Sequence, residues 1–153
     1  MGKTGKNLGE LSGESIEFTF EGQQHSDLLP QLSEITTDQI RTALNKAPAK
    51  YGYWSSMLAD VNAKIRAANA EYDFWYAEVY SAIDQEEPKK TEGWKKNQII
   101  LMHTVDWKKR MKRLSELHLV KDKVETLVKS YEMQSRTLQT VAGLIRAEME
   151  LSN

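Results

Sequence analysis

Residues 54–82, WSSMLADVNAKIRAANAEYDFWYAEVYSA, decide the fold class. Trp54, Leu58, Val61, Ile65, Ala68, Tyr72, Trp75, Val79 and Ala82 stand alternately four and three apart, so nine successive a and d positions of a heptad are apolar. A strand would need alternation at every second residue, and that pattern fails here. No Gly or Pro interrupts the stretch from Tyr53 to Asp84, and Ala67-Ala68-Asn69-Ala70 favours helix. The spacing predicts a helix from about Pro48 to Asp84, roughly 54 Å long at 1.5 Å per residue. That is too long for a compact globule, so the seam must meet another helix.

Towards the N-terminus, Pro48 is expected to end a shorter helix that starts at Thr36 or Thr37. Thr36 and Gln39 fit a capping box, and Ile40, Ala43 and Leu44 form its apolar stripe. Ile16-Glu17-Phe18-Thr19-Phe20-Glu21 alternates apolar and polar residues and stops at Gly22, the pattern of a half-buried strand. No second stretch marks a strand convincingly. The strand must therefore pair with a poorly marked neighbour, with its copy in another subunit, or with a partner's sheet edge. Ile16, Phe18 and Phe20 are accordingly candidate assembly contacts. The first fifteen residues are rich in Gly and Ser and are expected to be mobile or tied down only by a partner.

Towards the C-terminus, the polar stretch from Asp84 to Gly93 contains Pro88 and reads as a turn. A second long helix is expected from Trp94. Its stripe begins as Ile100, Trp107, Met111 and Leu114 and resumes as Leu117, Val124, Tyr131, Leu138 and Ile145. Met111, Leu114, Leu117 and Val120 are three apart, a stammer that overwinds a coiled coil or else marks a break. The expected fold is mainly α: a long antiparallel helical hairpin, coiled-coil-like, over residues 35–153, with an N-terminal arm over 1–34 carrying one short strand at 16–20. Helices of this length expose more seam than one partner covers, so a homo-oligomer is expected. Trp54, Leu58, Val61, Ile65, Tyr72, Trp75, Val79, Leu138 and Ile145 are its candidate contacts.

The composition removes several functions. The chain has 153 residues, 40% of them hydrophobic, enough for a core, and no uninterrupted apolar run exceeds the length of Ile99 to Met102. It has no Cys, which excludes disulfides and thiolate chemistry, and residues 1–13 lack the apolar stretch of a secretory signal. A cytoplasmic location is expected. His25, His103 and His118 have no metal-ligand spacing, no GxSxG elbow occurs, and Asp84, Glu86 and Glu87 sit in a polar turn where solvation suffices to explain them. Neither an enzyme nor a cofactor is indicated.

The charge is segregated. Against a formal total of −1, residues 88–123 carry eleven Lys and Arg and four acids, a net of +7 that leaves −8 elsewhere. Residues 8–40 contain seven acids and no Lys or Arg. Lys108, Lys109, Lys112 and Arg113 project opposite the stripe of Ile100, Trp107, Met111 and Leu114, and Lys95 falls on the same side of a continuous helix. Such a row suits a phosphate backbone without reading sequence. Lys89, Lys90 and Lys96 flank Trp94, the best candidate for stacking on a base. Tyr53, Phe74, Tyr76 and Tyr80 lie off the seam and form either a second packing surface or a base-stacking face. The alternative is a coiled-coil structural or adaptor protein, such as a virion component or host-protein inhibitor, whose basic face meets an acidic protein.

From Ile35 to Glu150 the layout resembles the UvsY-type recombination mediators of tailed phages. The matching features are Tyr51-Gly52-Tyr53-Trp54 at the start of a long helix, Tyr80-Ser81 in an aromatic patch at its end, Lys90-Thr91-Glu92 after a polar turn, and Ser135-Arg136 in a long final helix. The resemblance implies a ring-like homo-oligomer, single-stranded DNA as ligand, and a recombinase and a single-strand-binding protein as partners. It also implies a phage protein acting within the host cell. The family's basic positions late in the first long helix are occupied here by the neighbourhood of Phe74 and Tyr76, so those contacts do not transfer.

Overall fold

The heptad stretch is helical from end to end in a computed structural model that describes residues 14–30 and 37–152. The elements are β1 (Ser15–Phe20), β2 (Gln23–Leu28), α1 (Thr37–Glu86), α2 (Glu92–Met102) and α3 (Thr104–Leu151). The chain is mainly helical, with α1 and α3 packed antiparallel and a two-stranded hairpin before them. It divides into two compact units, Met1–Tyr53 with Thr126–Asn153, and Trp54–Glu125. The Gly- and Ser-rich start and Thr36 of the expected capping box lie outside the described residues. Among those described, no helix is long and apolar enough to cross a membrane.

Trp54, Val61, Ile65, Ala68 and Trp75 are buried as the heptad requires, but Ala82 is exposed and Ile83 is buried in its place. A straight helix drifts about 20° per heptad from a sevenfold repeat. Over the four heptads from Trp54 to Ala82 this approaches the roughly 100° between neighbouring residues, so the inward position slips by one. Pro48 does not end a helix: α1 runs through it. Proline removes one amide from the ladder and crowds the preceding turn, at a cost of about 3 kcal/mol in a helix interior. Here it stands exposed beside buried Ala47.

The expected single strand is half of a hairpin. β1 pairs antiparallel with β2 in a register that sets Phe18 opposite His25 and Phe20 opposite Gln23. Glu21 and Gly22 have φ of 51° and 77°, the left-handed pair whose twist matches a two-residue hairpin. β2 reads QQHSDL, without apolar alternation; the turn and the ladder, rather than its side chains, make it a strand. Phe18 and Phe20 are buried in their own chain. In the same unit, Lys50 of α1 pairs with Asp27 at 2.8 Å, and the Tyr131 hydroxyl of α3 donates to the Leu28 carbonyl at 3.1 Å. Burial, with the nearby Asp27 carboxylate, pushes the Tyr131 phenol above its ordinary range.

The C-terminal helical stretch is broken at His103, not at the stammer. α3 is continuous through residues 111–117, with Met111, Leu114, Leu117 and Val120 all half-buried. At the break, the Thr104 hydroxyl donates to the carbonyls of Ile100 at 2.7 Å and Leu101 at 3.1 Å. A threonine side chain that takes the acceptors of the backbone ladder competes with the helix. Further along α3, Val124, Leu127, Tyr131 and Leu138 are buried.

Candidate nucleic-acid interface on α2 and α3

The unit Trp54–Glu125 holds every basic residue singled out from the sequence. Its core joins Trp75 and Ile83 of α1 to Ile99 of α2, with Tyr72, Tyr76, Val79, Tyr80, Trp94 and Trp107 packed around them. Trp107, Met111 and Leu114 face inward, which turns Lys108, Lys109 and Lys112 to solvent. Among the described residues Lys108 and Lys109 have no carboxylate within ion-pair distance. Lys112 lies 3.8 Å from Glu116, both largely exposed, a pair worth at most about 1 kcal/mol. Val105 precedes these lysines by three and four residues on the same side of α3, and Leu101 and Met102 close α2 just before it. All three are exposed, Val105 at 80%. These three form an exposed apolar ledge that precedes the lysine row in the chain.

Beside the row, on the side facing α1, the cations are engaged. Arg113 Nη1 donates to Glu71 Oε2 at 2.8 Å. Arg110 lies over the Trp75 ring at 5.1 Å and donates to the Glu71 backbone carbonyl at 3.4 Å. Glu71, Arg110 and Arg113, with Ala68, Asp106 and Lys109, line an open cleft of about 240 Å³.

At the corner between α1 and α2 the expected contacts mostly turn inward. The Thr91 hydroxyl accepts from the Trp94 amide at 3.3 Å and caps α2, which sets Lys95 on the same side as buried Ile99. Lys95 is 4% exposed, pairs with Asp84 and donates to the Pro88 carbonyl at 3.4 Å. Its expected place on the outward face is therefore corrected: the break at His103 separates the phases of α2 and α3, so a single wheel misplaces it. Trp94 is half-buried: it packs on the core, and Lys90 Nζ lies over its ring at 5.4 Å. Lys89 and Lys96 are exposed, with no partner among the described residues. Tyr76 and Tyr80 stack at 6.5 Å and belong to the packing surface, whereas Tyr53 and Phe74 are exposed. The Tyr80 hydroxyl donates to Glu92 Oε1 at 2.6 Å, and that bond, with some burial, pushes its pKa up to about 12.

The candidate assembly residues Trp54, Val61, Ile65, Trp75 and Leu138 are buried within the chain, and Ile16, Leu58, Tyr72, Val79 and Ile145 are half-buried. Sequence reasoning missed the ledge, Arg110 and Glu71. The ledge had a signal: Ile99 to Met102 are four consecutive apolar residues, and one helix face cannot bury them all. Arg110 and Glu71 had none, because their meeting depends on the pairing of α1 with α3. Among the described residues no three His, Asp or Glu side chains converge to hold a metal ion. Compared with known proteins, the chain matches no family model, no curated protein and no solved structure.

Proposed function

We propose that the chain is a non-enzymatic, sequence-independent single-stranded DNA-binding protein that acts as a recombination mediator. The observation that carries this reading is the exposure of Leu101, Met102 and Val105 just ahead of the solvent-facing Lys108, Lys109 and Lys112 in the chain. Lysines in a row gain affinity for phosphates by releasing condensed counterions, whatever the sequence. Unstacked bases have faces that a duplex hides, and an apolar surface beside the phosphate track favours the single strand. Lys89, Lys96 and the half-engaged Arg113 extend the track. Loading of a recombinase, and contact with a single-strand-binding protein, rest on the resemblance to UvsY-type mediators alone. A homo-oligomer is part of the proposal; Met133, Leu144 and Met149, exposed on α3, supply apolar surface for it, since much of the seam is buried within the chain.

A titration of labelled thymidine oligonucleotide across a salt series, with light scattering on the same samples, tests the reading. Binding should weaken steeply with salt, and the protein should scatter as an oligomer. Absence of binding at low ionic strength would remove DNA as the ligand and leave the basic face to an acidic protein.

A further inference from the structure

The cleft between α1 and α3 contains a pair that competes with any anion entering it. Arg110 is held ready, stacked on Trp75 and tied to the Glu71 carbonyl, while Arg113 is engaged by the Glu71 carboxylate at 2.8 Å. Both members of that pair are about half exposed, so the carboxylate can swing to water at little cost. Ala68 contributes only a methyl group to the lining, which leaves room for a tetrahedral anion. Three cations and two carboxylates, Glu71 and Asp106, line the space. A planar guanidinium accepts a phosphate with the same two-pronged geometry as a carboxylate, so one can replace the other without rebuilding the site.

We infer that this cleft seats one backbone phosphate of a bound strand between Lys109, Arg110 and Arg113, and that Glu71 occupies the seat until the phosphate displaces it. The inference rests on the proposed DNA-binding role and adds a site to it: Lys108 and Lys112 form an ungated track, and the cleft, which Lys109 shares with that row, a gated one. Asp106, on the lining, opposes the phosphate before and after the exchange, so Glu71 sets the difference between the two states.

Glu71→Gln keeps the size of the side chain and removes its charge. It should tighten binding of a labelled thymidine oligonucleotide about fivefold at low salt, the range expected for relieving an exposed ion pair. It should also steepen the slope of log affinity against log salt by up to about 0.7, the value for one more phosphate on a single strand. The gain should vanish when Glu71→Gln is combined with Arg113→Gln. Circular dichroism should show the same helix content for all variants, since both positions are half exposed. If wild type binds and Glu71→Gln binds no tighter, or the gain survives Arg113→Gln, the gated seat is overturned while the DNA-binding reading stands. If neither wild type nor Glu71→Gln binds, both fail. A gain confined to terminally phosphorylated strands would assign the seat to a phosphomonoester and overturn the backbone assignment.

Discussion

Lys95 and Lys108 come from the same basic segment, thirteen residues apart, and the fold uses them in opposite ways. The α1–α2 corner brings Asp84 and the Pro88 carbonyl within reach, and there Lys95 is buried against its carboxylate while Lys90 lies over Trp94. On the outward side of α3 no carboxylate comes within ion-pair distance of Lys108 or Lys109 among the described residues, and both side chains are exposed. The net charge of a segment therefore says little about a binding surface until its internal carboxylates have been matched with their cations. What is left over, a short row beside an apolar ledge, is smaller and more specific than the +7 of the segment suggests.

The contrast can be broken most severely at the row. Replacing Lys108, Lys109 and Lys112 by Ala should lower affinity for single-stranded DNA by roughly tenfold to a hundredfold at low salt and flatten the salt slope by about 2, with the thermal midpoint unchanged. Equal binding by this variant would take the row out of the site. Lys95→Ala should do the reverse. It should leave the salt slope alone and cost about 1 to 2 kcal/mol of stability in a denaturant titration, less than a fully buried pair because Asp84 is half exposed. A smaller effect is expected at the ledge. Serine at Leu101, Met102 and Val105 together should weaken single-strand binding about threefold to tenfold with an unchanged slope, and should not alter duplex binding. Should the substitutions instead shrink the particle seen by light scattering without DNA, the ledge is an assembly surface.

The smallest effect belongs to the corner and to high pH. Tyr80 is raised from 10.0 to about 12 by its bond to Glu92, then by burial, so folding favours its protonated form. Its stabilising contribution is complete below the unfolded value of 10.0 and declines as pH rises through about 12. The stability difference between wild type and Tyr80→Phe should shrink across that window, and the phenolate absorbance of Tyr80 should appear late. A difference that persists beyond the window would show that the hydroxyl acts by packing alone.

Much of the architecture was legible because periodicity is a local property. The seam from Trp54 to Val79 and the stripe from Val124 to Leu138 each follow from side chains on one helix face, and no partner is needed to read them. The misses share a different cause. At the break the Thr104 hydroxyl reaches back to two carbonyls, but Thr140 makes a like bond to Arg136 inside an unbroken helix, so a threonine alone does not mark a break. β2 becomes a strand through the turn at Glu21 and Gly22, whose left-handed backbone shows more readily in Asn-Gly than in Glu-Gly. One helical phase carried across the break sets Lys95 on the wrong side. Glu71 stood thirty-nine residues from Arg110, and no spacing rule links them. The outward lysines are legible because they oppose an apolar stripe on their own helix.

Pro48 gives α1 an unequal ladder. The carbonyl of Leu44 lacks the amide that any other residue at 48 would present, so the turn on that side is closed by fewer bonds than its neighbours. Opening that starts at the Thr37 end has a natural stopping point there, before the uninterrupted stretch that carries Trp54 and Val61. In hydrogen exchange the amides ahead of Pro48 should accordingly lose protection as one block, at lower free energy than those behind it. Within a single helix, one missing donor thus marks the border between a segment that can open alone and a segment that opens only with the core.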